Sequence, residues 1–312
     1  TYSNTDGVTI PEDNILAYYV YIPRYRYKIW TVSTSAAGQE QEIEIVFENN
    51  YTDKSTGTQV GEYLTHPAFT FGNTELSGIW VGKFETTGNF NAPTIKPNIS
   101  TLVNQNISTS FISSIKFAGG ILSAGVVTFS GNVYYGLNNK ADSHMARNDE
   151  WGAVAYLSNS KYGINSEVRI NNYYNDGLKT GCGATTKNET TNTTCGITYG
   201  GSSTYPQSTT GNISGVFDMS GGAWEITMGV LADPSGKPRS GWNSKYNSGF
   251  NGMLEDGTKI TNGIDFPPNK YYNLYTTENL LTACSGGYCY GHALSETNNW
   301  YNDFAYFVTK VG

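Results

Sequence analysis

Charge is what this sequence has least of. Only 14% of its residues are charged, against about 25% in an average chain, so uncharged polar groups must cover most of the surface. Acidic residues outnumber basic ones, 26 to 19, giving a net charge of -7 and a pI near 5.0. That balance offers no cationic face to a phosphate backbone and excludes nucleic acid as a partner. Three histidines, His66, His144 and His292, stand far apart and read as loop or capping residues rather than ligands. The longest weakly polar run, Ala118 to Phe129 (AGGILSAGVVTF), falls short of the roughly 20 residues that span a bilayer. No basic segment leads into an apolar one at Thr1, so any export signal or anchor is expected to have been removed. The motifs GxSxG, HExxH and GxxxxGK[ST] are missing, as is a GxGxxG between strand and helix, and with them the common hydrolase, protease and nucleotide chemistries.

Aromatic residues are abundant instead, with 24 Tyr, 13 Phe and 6 Trp, alongside 36 Gly. A disordered chain lacks such residues, so this one folds around a core. The four cysteines form two local groups, Cys182 with Cys195 and Cys284 with Cys289. Neither has the CxxC…CxxC spacing of a zinc site, and each reads as a short-range disulfide. The first would close the loop GATTKNETTNTT, which cannot pack itself and would gain roughly 3 kcal/mol from the bridge. Oxidised cysteines imply an extracytoplasmic compartment. Sequons at Asn98, Asn106, Asn188, Asn192 and Asn212 agree with that.

Patterning gives an α+β reading. Asn14 to Trp30 predicts a strand interrupted at Pro23, and Gln41 to Phe47 predicts a second, with Ile43, Ile45 and Phe47 alternating against Glu42, Glu44 and Val46. Leu76 to Thr86 predicts a third. Apolar residues at threes and fours, Ile99, Leu102, Val103, Ile107, Phe111 and Ile115, predict a helix from Asn98 behind Pro97. A shorter helix is expected after Asp142 as N-cap, with Met145, Trp151, Val154 and Ala155 on its apolar side. The stretches Gly163 to Gly215 and Pro234 to Gly291 predict turns and short strands. Without repeats or linkers, the chain reads as residues 1–60, an N-terminal β segment packed on the main domain, and 61–312, that domain.

Gly215 to Glu225, GVFDMSGGAWE, sets two aromatics, two carboxylates and a Gly pair in one short loop. A Gly pair allows positive φ, so carbonyls can converge beside a carboxylate, which is how a loop builds a hard-cation site. The loop resembles the GLYDMxGNVWEW motif of the formylglycine-generating-enzyme-like (sulfatase-modifying-factor) family, whose fold is C-type-lectin-like. Two further segments resemble that family in the same order. His66 to Gly88 (HPAFTFGNTELSGIWVGKFETTG) is similar to its FWIGKYEVT strand, and Asp142 to Leu157 (DSHMARNDEWGAVAYL) to its LPTEAEWEYAA helix, with Asn148, Glu150 and Trp151 matching. The three matches span roughly half the chain. The resemblance implies two helices, short antiparallel strands, long irregular loops, and calcium held by carbonyls of Asp218, Gly221 and Ala223 with the Glu225 carboxylate. At Gly222 the sequence departs from the family's Asn. The alternative to calcium is a plain Gly-rich bend pinned by buried Phe217 and Trp224; in either case Trp151 and Trp224 are expected to anchor the scaffold. The family closes with an arginine-glycine-glycine segment and a GFR strand that the residues to Gly312 do not show.

Two functions follow. A copper-dependent oxidase related to the formylglycine-generating enzymes would need a reactive cysteine pair, and Cys284 with Cys289 precede the family's position and lack its basic and aromatic surroundings. The preferred expectation is a non-catalytic extracellular recognition or structural module: an adhesin, a surface-filament or pilin-like subunit, or a phage receptor-binding protein. Tyr, Ser, Gly and Asn are what recognition loops favour. Tyr173 and Tyr174, Tyr271 and Tyr272, and Trp300 and Tyr301 are the candidate ligand contacts. The expected partners are a cell-surface protein or glycan, with homo-oligomer or filament neighbours.

Overall fold

Arg24 divides the first expected strand in two. Tyr19–Pro23 pairs antiparallel with Gly78–Gly82, ending with Pro23 opposite Gly78, while Tyr25–Lys28 lies between Glu44–Phe47 and Leu64–Thr65. The Arg24 guanidinium, 1% exposed, fastens the break through Glu48 and through Glu75 at 2.7 Å. The computed structural model describes residues 7–29, 42–49, 53–57, 62–166, 168–171, 178–186, 195–201, 203–275 and 290–292. Among these the chain is mixed α and β, with two α-helices, α1 (Ile107–Ile115) and α2 (Asn148–Ser158), and many short strands. Most strand pairs are antiparallel. Gly229–Leu231 with Asn273–Tyr275, and Arg239–Gly241 with Gly252–Leu254, are parallel.

Both helices start later than patterning predicts. Asn98 and Asn104 take φ of 61°, a left-handed backbone that no helix continues through, so residues 98–105 stay irregular. Asn106 then caps α1, its Oδ1 accepting from the Thr109 N–H at 3.0 Å. Asp142 is no N-cap: its carboxylate accepts from Tyr271 Oη at 2.9 Å and pairs with His144 and Lys270. α2 begins after Arg147, whose N–H donates to Glu150 Oε2 at 2.8 Å, one half of a capping box.

Three apolar clusters hold these elements. The first packs Tyr25, Tyr27, Ile43, Ile45 and Phe69 against Ala153 to Tyr156 of α2, and Tyr25 Oη donates to the Ala153 carbonyl at 2.7 Å. Residues of the 1–60 segment therefore contribute to the same core as α2. The second joins Phe111 and Ile115 of α1 to Met145, Met228, Phe250 and Tyr271, and the third groups Phe84, Ile95, Phe117 and Phe217. No helix among the described residues is long and apolar enough to cross a membrane.

Candidate functional site

Phe217 roots the Gly215 to Glu225 loop. It is buried in the third cluster, 5.3 Å from Phe84 and 5.2 Å from Tyr199 between ring centroids, and its N–H donates to the Lys83 carbonyl. The chain then turns sharply: Asp218 has φ of 64°, Gly221 76° and Gly222 70°. A left-handed Asp is tolerated when its side chain bonds locally or to backbone. Here the carboxylate accepts from Gly181 N–H at 2.8 and 3.0 Å and from Asn171 Nδ2 at 2.7 Å. Asn171 also bonds the loop's backbone, donating from its N–H to the Ser220 carbonyl and accepting from Gly222 N–H. The disulfide expected from spacing is present, Cys182 to Cys195 with Cα atoms 5.4 Å apart. Because Cys182 follows Gly181, the bridge secures the strand that supplies the donor to Asp218. A disulfide agrees with an oxidising, extracytoplasmic setting.

Glu85 is the residue that sequence reasoning missed. Its Oε1 accepts from Ala223 N–H at 2.9 Å, and its buried Oε2 meets no hydrogen-bond geometry among the described residues, with the Thr101 hydroxyl the polar group beside the carboxyl. Gly222 explains the approach, since a Cβ there would lie 2.8 Å from Glu85 Oε1. On the other side of the turn, Trp151 Nε1 of α2 donates to the Glu225 carboxylate.

Three carboxylates thus converge. Burial, then the charges of Asp218 and Glu225, pushes the Glu85 carboxyl well above the ordinary range. Burial raises Asp218 to about 7 in spite of its hydrogen bonds. Glu225 is an exposed residue whose carboxylate accepts from the indole N–H, and partial shielding from water followed by the Asp218 charge raises its carboxyl. On donor chemistry the loop suits a hard cation, being all oxygen and short of positive charge. On geometry, no group of three or more His, Cys, Asp or Glu among the described residues is arranged to hold a metal ion. The carboxylates alone therefore make no cage, and backbone carbonyls would have to complete one.

Two expectations fail. Trp224 is 83% exposed rather than buried, because the consecutive left-handed glycines swing its side chain out of the bend that Phe217 anchors. Tyr271 is 1% exposed, packed edge-on to Phe111 at 5.6 Å with its hydroxyl spent on Asp142, so it has no surface to offer a ligand. Tyr272 is half-buried beside Phe266. Tyr173, Tyr174, Cys284, Cys289, Trp300 and Tyr301 lie outside the described residues.

His66 and His292 are buried packing and hydrogen-bonding groups, while His144 pairs with Asp142 and Glu150. His66 Nδ1 accepts from Ala68 N–H and its ring sits among Tyr25, Tyr27 and Tyr156 at 5.2–5.3 Å. His292 meets Tyr275 Oη through Nδ1 at 2.5 Å, a contact across 17 positions that no local pattern marks. Comparison with protein-family models and with curated proteins finds no match.

Proposed function

We propose that the protein is a non-catalytic extracellular recognition or structural module with a formylglycine-generating-enzyme-like, C-type-lectin-like fold. One observation carries the reading: the three segments that resemble the family in sequence meet at one place. Glu85 of the first bonds Ala223 of the third, and Glu225 of the third accepts from Trp151 of the second. A loop held so tightly at its base, with the large Trp224 side chain exposed at its bend, suits contact with a partner. Rigid aromatic area costs little conformational entropy on binding. Trp80, Trp242 and Tyr246 are also more than half exposed. The partner in this reading is a cell-surface protein or glycan.

Calcium belongs to the same reading. It would take the carbonyls of Asp218, Gly221 and Ala223 with the carboxylates of Glu225 and Glu85, supply positive charge to the acidic loop, and fix the loop's shape. The test is binding of the purified protein to glycan arrays and to immobilised cell-surface extracts, with and without calcium. A specific ligand whose capture drops about tenfold, or roughly 1.4 kcal/mol, in Trp224→Ala is the expected result. Copper-dependent oxidation of a thiol substrate by the same protein would overturn the reading.

A further inference from the structure

A cavity of about 380 Å³ opens among the strands Arg239–Gly241, Gly252–Leu254 and Lys259–Ile260 and the turn that precedes them. It shares no residue with the acidic loop. Its wall is mostly apolar, from Pro238, Met253, Ile260 and Phe266, and the Phe266 ring is braced by stacking on Phe250 at 4.4 Å. The cavity is an open groove rather than an enclosed pocket, wide enough for a single ring to lie against its apolar wall.

Its polar groups are unusual for so acidic a chain. Lys237 and Lys259 both line it, and neither ammonium has a hydrogen-bond or ion-pair partner among the described residues. Each is carried on a well-fixed turn. Asp233 Oδ1 accepts from the N–H groups of Ser235 and Lys237 at 2.8 and 3.0 Å and from Ser235 Oγ at 2.6 Å, which shapes the turn bearing Lys237. Asp256 Oδ1 accepts from Thr258 N–H at 2.9 Å just before Lys259, and Lys259 pairs with Met253. Asp233 is the sole acid of the lining, and its charge faces Lys237 while Oδ1 serves its own turn. Asn251 is held in place through Nδ2 to Asp265 at 2.8 Å, and Thr261 adds a hydroxyl.

We propose that this cavity binds a single acidic sugar, its carboxylate set between Lys237 and Lys259 and its C–H face laid on Met253, Ile260 and Phe266. Two ammoniums against one carboxylate, Asp233, which also serves its own turn, leave the lining net positive and favour an anion. The apolar wall and the volume select a ring-sized body over a bare inorganic ion, and the hydroxyl and amide groups suit a polyol. The site stands whether or not the acidic loop works as proposed above.

The test is ligand-observed NMR on the full chain at low salt, titrating glucuronate and N-acetylneuraminate, with glucose, N-acetylglucosamine, benzoate and sulfate as controls. Saturable binding of an acidic sugar is expected, weakened at least threefold at physiological salt. The double variant Lys237→Ser/Lys259→Ser should lose at least tenfold in affinity while its unfolding midpoint stays put, since both lysines are exposed. Neutral sugars binding as well as acidic ones, or acidic-sugar binding that survives the double variant, would overturn the proposal. So would no acidic-sugar binding at tens of millimolar. Benzoate or sulfate binding as tightly as glucuronate would overturn the sugar assignment.

Discussion

The protein gathers two groups of carboxylates and compensates their charge differently. At the start of α2, Glu150 is paired with His144 at 3.2 Å and Arg147 at 3.3 Å, Asp149 with Arg147 at 3.3 Å, and Asp142 with His144 and Lys270. Burial alone would raise Glu150, but the His144 and Arg147 charges outweigh it and bring the carboxyl to about 2. Burial would likewise lower His144, and Glu150 and Asp142 instead lift it to about 9. In the loop, Glu85, Asp218 and Glu225 have one another for neighbours and move upward. One cluster sets cations against its acids, although burial still lifts Asp149 to about 6, and it cements a helix to its surroundings. The other is electrostatically incomplete, which is the physical condition for a site that takes up a proton or a cation.

The largest effect should come from breaking the cluster at α2. Arg147→Leu leaves Glu150 and Asp149 buried without their guanidinium and also removes donors to the Ala68 and Thr70 carbonyls. A loss of about 3–5 kcal/mol is expected in urea unfolding. If the variant loses less than about 1 kcal/mol, the two clusters do not differ as described. Glu85→Gln should act in the other direction at pH 8, because it removes a repelled charge and keeps an acceptor for Ala223. Its melting temperature should rise by about 2 °C or more.

Removing Cys195 tests what supports the incomplete cluster. Cys195→Ser opens a bridge between residues 13 apart in sequence, a change on the order of 3 kcal/mol in the chain-entropy model. Because Cys182 adjoins the Gly181 donor, loosening should also weaken the hydrogen bonds to Asp218 and raise that carboxyl further, visible by carboxyl NMR titration. An unchanged Asp218 titration would show that the strand holds itself without the bridge.

The pH dependence gives a smaller effect, and the response to calcium is what isolates the loop. A carboxyl raised in the fold is favoured when protonated, so Asp218 weakens the fold as pH climbs from its ordinary range near 4 toward 7, and Glu225 acts in the same direction. Glu150, lowered, stabilises above about 4.5 and loses that stabilisation as pH falls toward 2, while His144, raised, stabilises below 6.5 and loses it toward pH 9. Between pH 5 and 8 the loop therefore softens. Added calcium should raise the melting temperature more at pH 8 than at pH 5, and Glu85→Gln should shrink that difference. Equal calcium shifts at both pH values would separate the loop from the ion.

How legible each part was depends on how local its determinants are. The Cys182–Cys195 bridge, the body of α2 and the strand Glu44–Phe47 follow from spacing and periodicity within a few residues. The start of α1 did not, because the apolar spacing at Ile99, Leu102 and Val103 persists where Asn98 and Asn104 have already left helical φ. Glu85 was invisible as a site residue because it meets Ala223 across 138 positions, and a single sequence has no signal for that pairing. His66 and His292 are neighbours in electrostatic reach for the same reason. Trp224 and Tyr271 were placed on the wrong sides of the surface. Aromatic identity says that area will be covered by something, and the backbone decides whether that is the core or a partner.

Trp224 gives the smallest effect on stability and the sharpest on the functional reading. Its side chain leaves the bend that Phe217 roots, and at 83% exposure it contributes little packing to the fold. Trp224→Ala should therefore change unfolding free energy by no more than about 0.5 kcal/mol, the range of ordinary surface substitutions. Phe217→Ala, seven residues' turn away in the same motif and 1% exposed, should cost about 3–5 kcal/mol. If both variants prove equally destabilising, the indole is packed after all and the loop has no exposed aromatic to present. If Trp224→Ala is silent in unfolding yet abolishes capture of a surface ligand, an energetically idle tryptophan on a rigid, electrostatically incomplete loop is accounted for by what it contacts outside the chain.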